Sequence, residues 1–127
     1  MPSGLRITKN DRRVLQRLIR ETPDKVSDAV RGIATEMTND IVLSYGESPS
    51  SPGEPPGVDT GTLRSGTTWE LDSQDKTKAA ITIQAEYGPY LEFGTSKMSA
   101  RPFVTPVFER WRSGELKRFL RATGILT

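Results

Sequence analysis

The sequence predicts an α+β fold in which a long N-terminal amphipathic helix packs on a small antiparallel sheet, with a further helix at the C-terminus. Three patterns carry this expectation. Apolar residues recur at steps of three and four from Val26 to Tyr45, two runs of strict alternation follow at 63–71 and 78–87, and a proline-led apolar helix pattern resumes at Thr105-Pro106. With 127 residues, the chain is expected to form a single domain over 1–127.

The first helix is predicted from about Asn10 to Glu21, where Val14, Leu15, Leu18 and Ile19 share one face and Thr8 or Asn10 stands ready as a cap. Thr22-Pro23-Asp24 then reads as a new start: a capping hydroxyl, proline at the first helical position and an acid in the first turn. Val26, Val30, Ile33, Met37, Ile41 and Tyr45 continue one stripe, which predicts a helix over 23–45.

At GESPSSPGEPPGV, residues 46–58, the composition changes abruptly to glycine, proline, serine and glutamate. Such a segment has too little apolar surface to order itself by burial. It is expected to be an arm contacting an adjacent subunit, carried by Glu47, Pro49, Pro52, Glu54, Pro55 and Pro56. Leu63, Ser65, Thr67, Trp69 and Leu71 alternate with polar neighbours, as do Ile81, Ile83, Ala85 and Tyr87 after the turn DSQDK. These runs predict an antiparallel hairpin with one buried face, in which Trp69 is a core residue. Val107, Phe108, Trp111, Phe119 and Leu120 predict the last helix, with Ser113-Gly114 as a point of bending or interruption.

Composition excludes several chemistries. The chain has no cysteine and no histidine, which removes disulfides, thiolate ligands, the commonest general base and the commonest transition-metal ligand. Nucleophilic triads and zinc sites are therefore excluded, and the expectation is of no cofactor, metal site or catalytic group. Lysine and arginine total 18 against 16 acids, a net charge of +2, and both signs are scattered along the chain. That distribution predicts no dedicated nucleic-acid footprint. No window approaches the roughly eighteen apolar residues of a membrane span, and the N-terminus lacks the pattern of a signal peptide.

The stretch YGPYLEFGTSKMSARPFVTP, residues 87–106, fits no regular element. An enzymatic reading would make Glu92 a carboxylate of raised pKa and Lys97 or Arg101 an anion holder. No second carboxylate lies near Glu92 in sequence, and Gly88 and Gly94 lack the ending of a phosphate-binding loop. A structural reading uses more of the residues. Gly88-Pro89 turns the chain, Tyr90, Leu91 and Phe93 anchor it, and Gly94 permits a positive φ. Arg101-Pro102 is forced extended, so that Phe103 lies in the sheet as part of a third strand over 101–104. Glu92 is then an acceptor for backbone N–H groups or for Arg101.

Taken together, YLEFGT, then KMSARPFV and a proline-led helix, preceded by DTGTLRS at 59–65 and the long N-terminal helix, resemble the small head-to-tail joining proteins of long-tailed bacteriophages and prophages. These are also called neck, tail-completion or tail-component proteins. The resemblance implies a non-enzymatic virion protein, made in the bacterial host cytoplasm, that forms a hexameric or twelve-fold homo-oligomeric ring. Its partners would be the connector or head-closure protein on one side and the tail-terminator or tail-tube protein on the other. Genome DNA would pass through the lumen without specific recognition, and no membrane is involved. The loop is expected to be a structural clamp and subunit interface built from Tyr87, Tyr90, Glu92, Phe93, Gly94, Thr95, Lys97, Met98, Arg101, Pro102 and Phe103. Two alternatives are a tail terminator capping the tail tube and a small module that stacks single-stranded nucleic acid on Trp69, Tyr87 and Tyr90.

Overall fold

The structure, a computed structural model, describes residues 6–44, 66–84, 92–96, 100 and 102–127. In chain order it contains α1 (Lys9–Glu21), α2 (Pro23–Leu43), β1 (Thr67–Leu71), β2 (Ala79–Ile83), α3 (Thr105–Arg110), a π-helical turn (Trp111–Glu115) and α4 (Leu116–Ala122). The fold is α+β, with α2 lying against both strands.

Helix α1 begins at a reciprocal cap. The Asp11 N–H donates to Thr8 Oγ1 at 3.1 Å and the Thr8 N–H donates to Asp11 Oδ2 at 3.0 Å, so Thr8 rather than Asn10 is the cap. None of the α1 residues is fully buried; Val14, Leu15 and Leu18 are half-buried and Ile19 is exposed. Thr22 departs from the expected capping role. Its hydroxyl donates back to the Leu18 carbonyl at 3.1 Å, which closes α1 instead of opening α2. Pro23, with its fixed φ and no N–H to satisfy, starts α2 without a side-chain cap.

In α2 the buried residues are Val26, Ala29, Ala34, Met37, Thr38 and Ile41. Val30 and Ile33, expected in the centre of the stripe, are half-buried. They line a shallow apolar cleft of about 170 Å3 together with Met37, Ala79, Ile81 and Phe108. The helix ends at Leu43 with the Ser44 N–H bonded to Asp40 O, and Tyr45 lies outside the described residues.

The hairpin pairs Thr67 with Ile83, Trp69 with Ile81 and Leu71 with Ala79. Thr67, Trp69 and Leu71 form the less exposed face of β1, as Ile81 and Ile83 do in β2, so Trp69 faces inward. Two aspartates shape the turn. Asp72 Oδ1 accepts from the N–H groups of Gln74 and Asp75, and Asp75 Oδ1 accepts from the Thr77 N–H and hydroxyl. These bonds hold both carboxyls below their ordinary range. Lys78 lies at the end of this turn, with β2 beginning at Ala79, because its N–H donates back to the Asp75 carbonyl at 3.1 Å. The expected extensions at 63–65 and 85–87 lie outside the described residues.

The third strand expected over 101–104 is not formed by residues 102–104, and the described sheet has two strands. Val104 is helical, with φ −95° and ψ −50°. The reason is a competing acceptor, the Glu92 carboxylate, which takes its N–H at 2.8 Å.

Met37, Ile41, Phe103, Val107 and Trp111 make the buried core, flanked by Ile81, Ile83, Leu116 and Phe119. A Cβ at Gly32 would lie 2.7 Å from Phe119 Cζ, so the absent side chain permits the close approach of α2 and α4. The C-terminal helix is interrupted at the Ser113-Gly114 position anticipated. There Leu116 N–H bonds to Trp111 O, five residues back, which defines the π-helical turn. Among the described residues no helix is long and apolar enough to cross a membrane.

Candidate functional site

Glu92 is a buried carboxylate reaching back to the start of α3. Its Oε1 accepts from the N–H groups of Phe103 at 2.9 Å and Val104 at 2.8 Å, and its Oε2 accepts from the Thr105 N–H at 3.0 Å. The Val104 and Thr105 N–H groups are unpaired donors at a helix N-terminus, Phe103 stands just before its cap position, and α3 has no side-chain cap of its own. Thr105, which precedes Pro106 as Thr22 precedes Pro23, is the first helical residue rather than the cap. A capping group from elsewhere in the chain therefore does the work of a local one. Two of these donors, the Phe103 and Val104 N–H groups, belong to the expected third strand, and they turn to the carboxylate where the chain enters the helix.

Burial opposes the charged form of Glu92, but the Thr105 hydroxyl and the three N–H groups outweigh it and hold the carboxyl below its usual value. The positive end of α3 favours the same charge. Glu92 thus has the opposite of the raised pKa required of a general acid.

Around this anchor the loop has two faces. Phe103 is 2% exposed and packs beside Ile41, Val107 and Trp111. Phe93 is 78% exposed, and Thr95 is exposed with it. Gly94 has φ +77°, the left-handed conformation for which glycine is suited. Pro102 is half-buried. Tyr87, Tyr90, Lys97, Met98 and Arg101 lie outside the described residues, as do Glu47, Pro49, Pro52, Glu54, Pro55 and Pro56 of the expected arm.

Two polar links that the sequence did not signal hold the helices around the site. Asp40 Oδ2 accepts from Trp111 Nε1 at 2.8 Å and pairs with Arg110 at 2.9 Å. Lys117, 6% exposed, pairs with Asp11 Oδ2 at 2.8 Å and donates to the Arg6 carbonyl at 3.2 Å. The Lys117 bond to its carboxylate, followed by the Thr8 N–H, lowers the Asp11 pKa. Each link joins residues far apart in sequence, and only an apolar-face reading around Trp111 and Leu120 could have placed the helix that carries them. Among the described residues no cluster of three or more acidic side chains could hold a metal ion.

Compared with known protein families, curated proteins and solved structures, the chain matches none of them.

Proposed function

We propose that this chain is a non-enzymatic structural protein of the phage neck, which assembles into a hexameric or twelve-fold ring joining the head connector to the tail and leaving a passage for the genome. The observation that carries the reading is the Glu92-locked loop, which fixes its backbone with three hydrogen bonds while presenting Phe93 outward at 78% exposure. A large apolar side chain exposed next to a tethered residue suits a packing anchor between subunits, because the backbone that carries it has less conformational entropy to lose on docking. A carboxylate whose hydrogen bonds are spent on helix N–H groups suits scaffolding rather than proton transfer. The motif resemblance of residues 59–65 and 90–104 supplies the phage context and, with it, a place in the virion.

The test is the mass of the purified chain, alone and with tail tubes, by light scattering and negative-stain microscopy. Rings of six or twelve subunits are expected. Phe93→Asp should abolish them while leaving the melting temperature within about 1 °C, since an exposed side chain contributes little to the fold. A chain that stays monomeric at tens of micromolar with and without tail tubes would overturn the reading. Labelled rings bound only at the tail-tube end of connector-free tails would assign the terminator position instead.

A further inference from the structure

The outward face of α1 collects the basic residues that look scattered in the sequence. Lys9, Arg12, Arg13, Arg17 and Arg20 are all exposed, and at 100° per residue they fall within a sector of about 140°, with Gln16 between them. The apolar residues Val14, Leu15 and Leu18 occupy the opposite side, and α1 lies against α2. Of the two acids in α1, Asp11 is engaged by Lys117, and Glu21 stands 3.9 Å from Arg17. Among the described residues the other four cations have no carboxylate partner. Arg13, Gln16 and Arg20 also share a surface depression with the exposed Ile19.

Like charges at three- and four-residue spacing disfavour a helix, and among the described residues the exposed Arg17–Glu21 pair is the one ion pair that offsets this on the basic face. We infer that this face is a binding surface for the phosphate backbone of duplex DNA. Charge complementarity is the first reason: the cations extend for roughly 16 Å along the helix axis, long enough to meet successive phosphates. The chemistry of the residues is the second, because four of the five are arginines, whose planar guanidinium groups bind phosphate oxygens in pairs. An anionic bilayer fits less well, since a surface helix binds lipid through a broad free apolar face, whereas Val14, Leu15 and Leu18 of α1 are half-buried and Ile19 alone of its apolar residues is exposed. An acidic protein partner fits less well too, because the stripe has no aromatic anchor at its centre.

Contacts of this type position a duplex without reading its sequence. The inference stands on α1 alone. A monomer would bind through the same face, and a failure to bind DNA would leave ring assembly untouched.

The test is fluorescence anisotropy of a labelled 30-base-pair duplex titrated with the full chain at 50 and 200 mM salt, using two unrelated sequences. Equal affinity for both is expected, falling with salt by about 0.9 log unit per log unit of salt for each phosphate contacted. The triple variant Arg13→Gln/Arg17→Gln/Arg20→Gln should bind at least tenfold more weakly with a shallower salt dependence, at unchanged melting temperature. The Arg→Lys version should keep most of both. Three outcomes each overturn the inference: no binding at 50 mM salt, a glutamine variant that binds as the parent does, or tighter binding to vesicles containing 30% phosphatidylserine than to the duplex.

Discussion

Replacing Asp11 by alanine is expected to release α1 from the rest of the chain. Helix α1 has no fully buried residue, so its docking rests on three half-buried apolar side chains and on the Asp11–Lys117 pair. That pair is largely withdrawn from water, with side-chain exposures of 18% and 8%. Removing one member of such a pair leaves the other charge without its partner, a change that costs about 3 kcal/mol at the partly hydrated end of the range. Lys117 would keep only the Arg6 carbonyl, and the cap at Thr8 would lose its reciprocal bond. The expected readout is amide hydrogen exchange: protection of residues 12–21 should fall by about a hundredfold, while amides around Ile41 and Val107 change far less. Asp11→Asn, which keeps a capping oxygen but not the charge, should fall between. Equal protection of α1 in parent and Asp11→Ala would refute the account. Because the folded pKa of Asp11 is lowered, its contribution is present above the ordinary value of 3.8 and is lost as pH falls through the folded value.

The second large effect is expected at Glu92. Alanine there removes the acceptor for three N–H groups at once, one of them the buried Phe103 N–H, and the cost is about 3 kcal/mol. For a chain of this size that corresponds to a fall in melting temperature of roughly 10 °C. Glutamine is a sharper probe. Its single carbonyl oxygen can serve Phe103 and Val104, but its NH2 group would face the Thr105 N–H, donor against donor. The pH dependence has a definite sign. A carboxyl whose folded pKa is depressed stabilises the fold above its unfolded value, here 4.5, and the contribution disappears as pH falls through the lower folded value. Melting temperatures between pH 7 and pH 3 should therefore converge for parent and Glu92→Gln at the acid end. Curves that stay parallel over this range would show that Glu92 does not carry the acid sensitivity.

The parts of the fold that were legible in the sequence are those governed by periodicity. The α2 stripe, the two alternating runs and the Asp-rich turn all depend on neighbours a few residues apart. Glu92 was legible for a related reason: a lone acid between Leu91 and Phe93 must find donors, and the backbone N–H groups after Pro102 were within reach. Of the strand expected over 101–104, residues 102–104 do not form one, because the extended preference before proline is a local rule, whereas the carboxylate that recruits the N–H groups of Phe103 and Val104 comes from elsewhere in the chain. The Lys117–Asp11 and Trp111–Asp40 links carry no local signature at all. The basic face of α1 was hidden in another way. Its residues are spaced by one to four positions, so a linear scan for a cationic run passes over what helical geometry brings to one side.

The π-helical turn at Trp111–Glu115 makes the C-terminal helix one residue longer than its two faces require. Val107 and Trp111 point into the core on one side of the interruption, and Lys117 and Leu120 are buried on the other. In an uninterrupted helix, losing a residue would turn everything beyond it by about 100° and carry Lys117 away from Asp11. Here the deletion of Ser113 would let the wide turn close to ordinary α-helix with both flanking faces kept in phase. This short segment is a slack length of chain, the place in the C-terminal helix where the protein can be shortened by one residue without being rewound.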